Sequence, residues 1–251
     1  MAQNQFLNRF SEPKKPIILP DPFEWIFISA GKVRLRYPPY NQIDSVIAEV
    51  ESFYIAKYPI TNAQYTVYVK ETGQKPEHTR LWDNSRFNQP LQPIIDLRWQ
   101  EAMLFCQWLS DKEGYLITLP TNVQWQRAAQ GDDDRRYPWG NEWEASRCNT
   151  GESHIGHTTP VTQYPQGASS YGVMDMVGNV FEWCLTNART AMSSVNWEIA
   201  ETNLISETRL MEEIRIFCGS SFDTSTRSAD VTQCGATPIF WPYLTGIRLV
   251  A

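Results

Sequence analysis

The stretch Tyr171-Gly-Val-Met-Asp-Met-Val-Gly-Asn-Val-Phe-Glu-Trp183 decides how this chain is read. It sets Asp175, Gly178, Asn179 and Glu182 among large apolar residues, with a Gly-Asn turn between two carboxylates. A turn of this kind folds side-chain and carbonyl oxygens toward one point, and calcium favours several oxygens with at least one carboxylate among them. The commoner role of acids beside such a turn is to cap backbone N–H groups or to stay solvated. Chemistry alone leaves both readings open.

Working outward, further segments stand in a characteristic order. They are Phe53-Tyr-Ile-Ala-Lys-Tyr-Pro-Ile-Thr-Asn-Ala-Gln-Tyr65, Pro93-Ile-Ile-Asp-Leu-Arg-Trp-Gln-Glu-Ala102 and Leu119-Pro-Thr-Asn-Val-Gln-Trp-Gln-Arg-Ala-Ala129, then Tyr137-Pro-Trp-Gly-Asn141, Gly219-Ser-Ser-Phe222 and Gly246-Ile-Arg-Leu-Val250. With Asp-Met-Val-Gly-Asn-Val-Phe-Glu-Trp, this series resembles the formylglycine-generating enzyme (sulfatase-modifying factor) family over residues 23–251. The resemblance implies an elaborated C-type-lectin fold.

Composition agrees with one domain. No Gly/Ser tract, Pro-rich spacer or repeat divides the 251 residues, and 42% hydrophobic content supports a substantial core. Sixteen prolines and thirteen glycines spread along the chain call for many turns. The reading is an α+β domain at 23–251, with short twisted antiparallel strands, two to three helices and long loops. Residues 1–22 are expected to form a polar N-terminal arm. A net charge of −6 without a basic stripe argues against nucleic acid, and no apolar run is long enough to cross a bilayer. Five cysteines without metal-ligand spacing point to a reduced cytoplasmic setting.

Local signals place the elements. Residues 25–31 read as a strand closed by Gly31, and 50–55 as a second strand. Thr61 with Gln64 signals a capped helix ending at Gly73. Apolar residues at three-to-four spacing predict a helix over 99–111, and Thr121 with Gln124 caps a third through Ala129. Residues 214–217 and 247–250 read as core strands, and 188–210 as an inserted surface loop.

The enzymes of the resembled family oxidise a cysteine of a sulfatase chain, using oxygen and a copper ion held by two cysteines, soft ligands that suit copper(I). Counted from Gly219-Ser-Ser-Phe222, those two positions fall on Thr224 and Ala229. Neither supplies a thiolate, so the reading leans away from catalysis. Cys218 and Cys234 are either a relocated copper pair or two unrelated thiols. The family's iron-dependent branch relies on histidines of a further domain; here His154 and His157 read as loop residues.

The resemblance also implies structural calcium, with Asp175, Gly178, Val180 and Glu182 matching one site and Asn149 and Thr150 part of another. The C-terminal segment offers hydroxyls and acids at Asp223, Thr224, Ser225, Thr226, Ser228, Asp230 and Thr232, next to the rings of Phe240, Trp241 and Tyr243. Rigid aromatics beside adaptable polar groups make binding surfaces; the same rings could instead fill the core beneath the last strand. This layout resembles the variable proteins of diversity-generating retroelements, which are ligand binders. The expectation is therefore a non-catalytic domain that binds a protein or peptide through its C-terminal loops, the alternative being a copper oxidase with a relocated cysteine pair.

Overall fold

The computed structural model describes residues 13–16, 18–35, 46–195, 213–241 and 244–251. Its framework is a four-stranded sheet in the order β7-β6-β5-β8, formed by β5 (Phe181–Asn187), β6 (Ile214–Cys218), β7 (Cys234–Pro238) and β8 (Thr245–Gly246). β8 runs parallel to β5 and the other pairings are antiparallel. Two hairpin-like pairs stand apart from it: β1 (Trp25–Ile28) with β4 (Phe53–Ala56), and β2 (Gly31–Leu35) with β3 (Val46–Val50).

The helices begin where their caps predict. In α1 (Asn62–Thr72) the Thr61 hydroxyl accepts from the Gln64 N–H while the Gln64 side chain accepts from the Thr61 N–H, and Gly73 closes the helix in the left-handed region. Thr121 and Gln124 repeat that box at α4 (Asn122–Gln130). The long α3 (Trp99–Glu113) buries Ala102, Met103, Phe105, Cys106 and Leu109 along one face and stops at Gly114. A short α2 (Thr79–Trp82) has no counterpart in the sequence reading, being too brief to show a period.

β5 lies between two cores. Trp183 and Leu185 enter the core of α1 and α3, while Cys184 enters the second, which α4 shares with β2 to β4. All seven residues of β5 are buried, so the strand lacks the polar–apolar alternation that reveals a half-exposed one. This explains why the decisive stretch read as a turn only.

Four expectations are corrected. The 50–55 strand is two strands broken at Glu51 and Ser52, and Gly31 opens β2 instead of closing β1. The final strand pairing lies at 245–246; the residues after it bond across to Ala56 and Ile60, and Val250 bridges Ile55 and Thr118. Within the expected loop at 188–210, residues 196–210 fall outside the described residues. The N-terminal arm is docked where it is described: Leu19 is buried in the first core, Pro20 and Pro22 carbonyls accept from Gln64, and the Lys14 carbonyl accepts from Trp25 and Tyr115. The domain therefore starts before residue 23. Leu19→Ala should cost about 2–4 kcal/mol in urea unfolding, as for a buried leucine truncated to a cavity; a mobile arm would leave the midpoint unchanged.

Candidate functional site

The site is organised by the turn that precedes β5. Asp175, Gly178 and Asn179 all have positive φ (56°, 87° and 67°), which folds 175–179 tightly. A Cβ on Gly178 would sit 2.4 Å from the Asn149 carbonyl oxygen, so only glycine lets the turn lie against that backbone. The Asn179 N–H donates to the Asn149 carbonyl, the Gly178 N–H donates to the Ser220 hydroxyl, and the Phe222 N–H donates to the Asn179 carbonyl. The Asn179 side chain accepts from the Thr159 N–H and donates to the Thr159 carbonyl and the Asp175 carboxylate. Through these bonds one turn fixes both the 149–159 loop and the start of the C-terminal loop.

Glu182 sits at the centre, fully buried. Its carboxylate accepts from Arg248 Nε at 2.8 Å, from Arg248 Nη2 at 2.7 Å and from Trp125 Nε1 at 2.6 Å. Arg248 is also fully buried, and its remaining donors go to the carbonyls of Ala56, Lys57 and Met174. Sequence reasoning assigned Arg248 no role, because nothing local marks a partner 66 residues away.

The calcium role expected for Glu182 meets a competing partner here. Both its oxygens already face charged or polar donors, and a guanidinium stands where a cation would be needed. Asp175 is left as the acid of the turn, and burial pushes its carboxyl up to about 7, opposed by the Asn179 hydrogen bond and Arg248 and assisted by the Glu182 charge. At the second expected site, Asn149 Oδ1 accepts from Ser153, and Thr150 donates to Glu152, whose other oxygen accepts from the Thr226 N–H. Among the described residues no three His, Cys, Asp or Glu side chains come together as metal ligands. The residues present do not fit a calcium ion held jointly by Asp175 and Glu182.

Copper fits no better. The Thr224 hydroxyl accepts from the Ser221 N–H, and Ala229 is buried. Cys218 and Cys234 face one another in register on β6 and β7 and are joined as a disulfide, so they meet in space, but as a bridge without thiolates. The free thiols Cys106, Cys148 and Cys184 are buried, and burial pushes that of Cys148 up to about 12.

The expected binding segment is part loop and part strand, since 234–238 form β7. Asp223, Ser225 and Ser228 are exposed; Thr224, Thr226, Asp230 and Thr232 are half-buried, with Asp230 accepting from both the N–H and hydroxyl of Thr232. Trp241 is 59% exposed, Phe240 is half-buried, and Tyr243 lies outside the described residues. Two cavities open beside this segment. One, of about 280 Å³, is lined by Ser221, Asp223, Thr224 and Gln233 with the rings of Phe181 and Phe217. The other, of about 390 Å³, lies against Phe222 and is lined by Asp96, which falls within the Pro93–Ala102 segment, and by Arg80, Arg86 and Phe87, which no motif in the sequence singled out.

Comparison with known proteins matches residues 14–251 to the sulfatase-modifying factor enzyme 1-like domain, and the chain belongs to that family. It is 32% identical over 205 residues to the serine/threonine-protein kinase pkn1 of Chlamydia caviae, covering 73% of this chain and 31% of the kinase. It is 27% identical over 187 residues to the formylglycine-generating enzyme of Thermomonospora curvata, covering 53% of this chain and 59% of the enzyme. The chain thus spans about a third of the kinase and under two thirds of the enzyme. Its fold is that of Treponema denticola variable protein 1, with a TM-score of 0.68 and 18% identity over 91% of this chain and 95% of the other.

The pair of states at Asp175 gives a test by pH. Its folded pKa of about 7 lies above the unfolded value near 3.8. The contribution of this group to stability is therefore complete below pH 4 and lost as pH rises toward 7. Asp175→Asn should flatten that slope and gain on the order of 2 kcal/mol at pH 8, with chelator making no difference to either protein. A melting temperature that falls on chelation in the native protein, and not in Asp175→Asn, would instead establish a bound calcium ion.

Proposed function

We propose that this chain is a non-catalytic recognition domain of the sulfatase-modifying factor family, binding a protein or peptide through the surface built by its C-terminal loops. The observation that carries this reading is that Thr224 and the buried Ala229 stand where the family resemblance places the copper-binding cysteines. Three features support it. Exposed hydroxyls and acids line the loop that follows β6, two cavities open beside it, and Trp241 presents a ring largely to solvent. An exposed ring offers contact area at low entropic cost and is a common anchor in interfaces. That the match covers only 31% of the kinase fits a module used within larger proteins.

The test is affinity capture from an extract of the source cell with the intact domain and with Trp241→Ala. The partner recovered by the domain should bind Trp241→Ala about 2 kcal/mol more weakly, a loss of roughly thirtyfold in affinity, with the melting temperature unchanged. Copper(I) titration of the reduced protein supplies the opposing outcome. Stoichiometric binding that Cys218→Ser abolishes would support an oxidase with a relocated cysteine pair and sink the recognition reading.

A further inference from the structure

The two cavities are neighbours. Both are lined by Leu244, and the consecutive residues Phe222, Asp223 and Thr224 pass from one to the other. Beneath the larger lobe lies a small apolar cluster of Phe87, Ile95, Val180 and Phe222, separate from the two main cores, with Leu81 and Leu244 packed on it. The rim is charged. Arg80 and Arg86 are exposed; Arg86 donates to the Gly156 carbonyl at 3.4 Å and Arg80 acts on Asp96 only at longer range, so neither makes a close ion pair among the described residues, whereas Arg34, Arg98, Arg135 and Arg147 elsewhere are each paired with a carboxylate. Asp96 is the one carboxylate in this lobe, leaving it net positive on a chain whose net charge is −6.

The backbone around the cleft is also unusual. Asp96 and Leu244 have φ of 67° and 51°, and a leucine in the left-handed region persists only where its surroundings impose it. The smaller lobe has the opposite character. It offers the acid Asp223, the paired hydroxyls of Ser221 and Thr224 at 3.1 Å, and two aromatic rings. Gly235 leaves room for one of them, since a Cβ there would meet the Phe217 ring at 2.3 Å.

We propose that the two lobes form one cleft for an extended acidic peptide segment, whose carboxylate side chain lies between Arg80 and Arg86. This rests on the recognition reading above and gives it a ligand class. An adjacent apolar side chain covers Phe87 and Phe222, and the backbone continues past Leu244 so that its N–H and hydroxyl donors meet Asp223 and the Ser221–Thr224 pair. A segment is favoured over a compact ligand because the cleft is two-lobed and changes sign along its length. An extended chain advances about 3.3 Å per residue and can place unlike side chains in successive lobes. Charge complementarity then fixes its direction as well as its composition.

The test uses fluorescence anisotropy with three labelled hexapeptides, identical apart from one central position that is Glu, Gln or Lys next to Phe. The proteins are the native chain, the double variant Arg80→Gln with Arg86→Gln, and a charge-matched control, Lys70→Gln with Lys75→Gln. The native chain and the control should bind the Glu peptide about tenfold more tightly than the Gln peptide, with the Lys peptide weakest. In the arginine double variant the Glu and Gln peptides should bind within about twofold of each other. Equal affinity for all three peptides, a Glu preference that survives the arginine double variant, or no binding of the Glu peptide at millimolar concentration overturns the proposal. Trp241 lines neither lobe, so partner capture that still depends on Trp241 while the peptides fail rejects this cleft and leaves the recognition reading standing; failure of both rejects both.

Discussion

The fully buried ion pair between Glu182 and Arg248 is the constraint on which the rest of the domain depends. Two charges removed from water are costly unless each finds its partner and the remaining donors and acceptors are also met. Here they are met: Trp125 adds a third bond to the carboxylate, and Arg248 reaches three backbone carbonyls from two separate segments. One guanidinium thereby ties the closing segment of the chain to β5, to the end of β4 and to Met174 at the head of the turn. Removing either partner strands the other charge in a medium that cannot solvate it. The interaction thus acts as a register lock, fixing which way β5 faces between its two cores.

Function follows from what that lock holds still. With β5 and its preceding turn fixed, Gly178 and Asn179 hold Asn149 on one side and Ser220 and Phe222 on the other. The residues that leave this rigid base, 223–233, carry polar side chains toward solvent over two cavities. Changing Thr224 and Ala229 alters the chemistry at the floor of the loop without touching the lock.

Much of the fold was legible in the sequence because its signals are local. Thr61 with Gln64, Thr121 with Gln124, and the glycines at 73 and 114 fix helix ends by hydrogen bonds between near neighbours. β5 was hidden because burial on both faces erases alternation, and the docking of Leu19 was hidden because a single apolar residue in a polar run carries no period. At the site, the Gly-Asn turn was recognised for its backbone geometry, while the pairing of Glu182 with Arg248 leaves no local signal. A carboxylate's oxygens suit a cation and a guanidinium equally well, and only the three-dimensional placement of Arg248 decides between them. Arg80, Arg86 and Asp96 gather around Phe222 by tertiary packing alone, which spacing in the chain cannot reveal.

A double-mutant cycle on the central pair tests this account most directly. Denaturant unfolding of the native chain, Glu182→Gln, Arg248→Met and the double variant would give the coupling free energy between the two side chains. The account predicts that each single change costs about 3–5 kcal/mol and that the double variant loses at least about 2 kcal/mol less than their sum, since removing both charges leaves none stranded. Single changes that each cost under about 1 kcal/mol and simply add would contradict it.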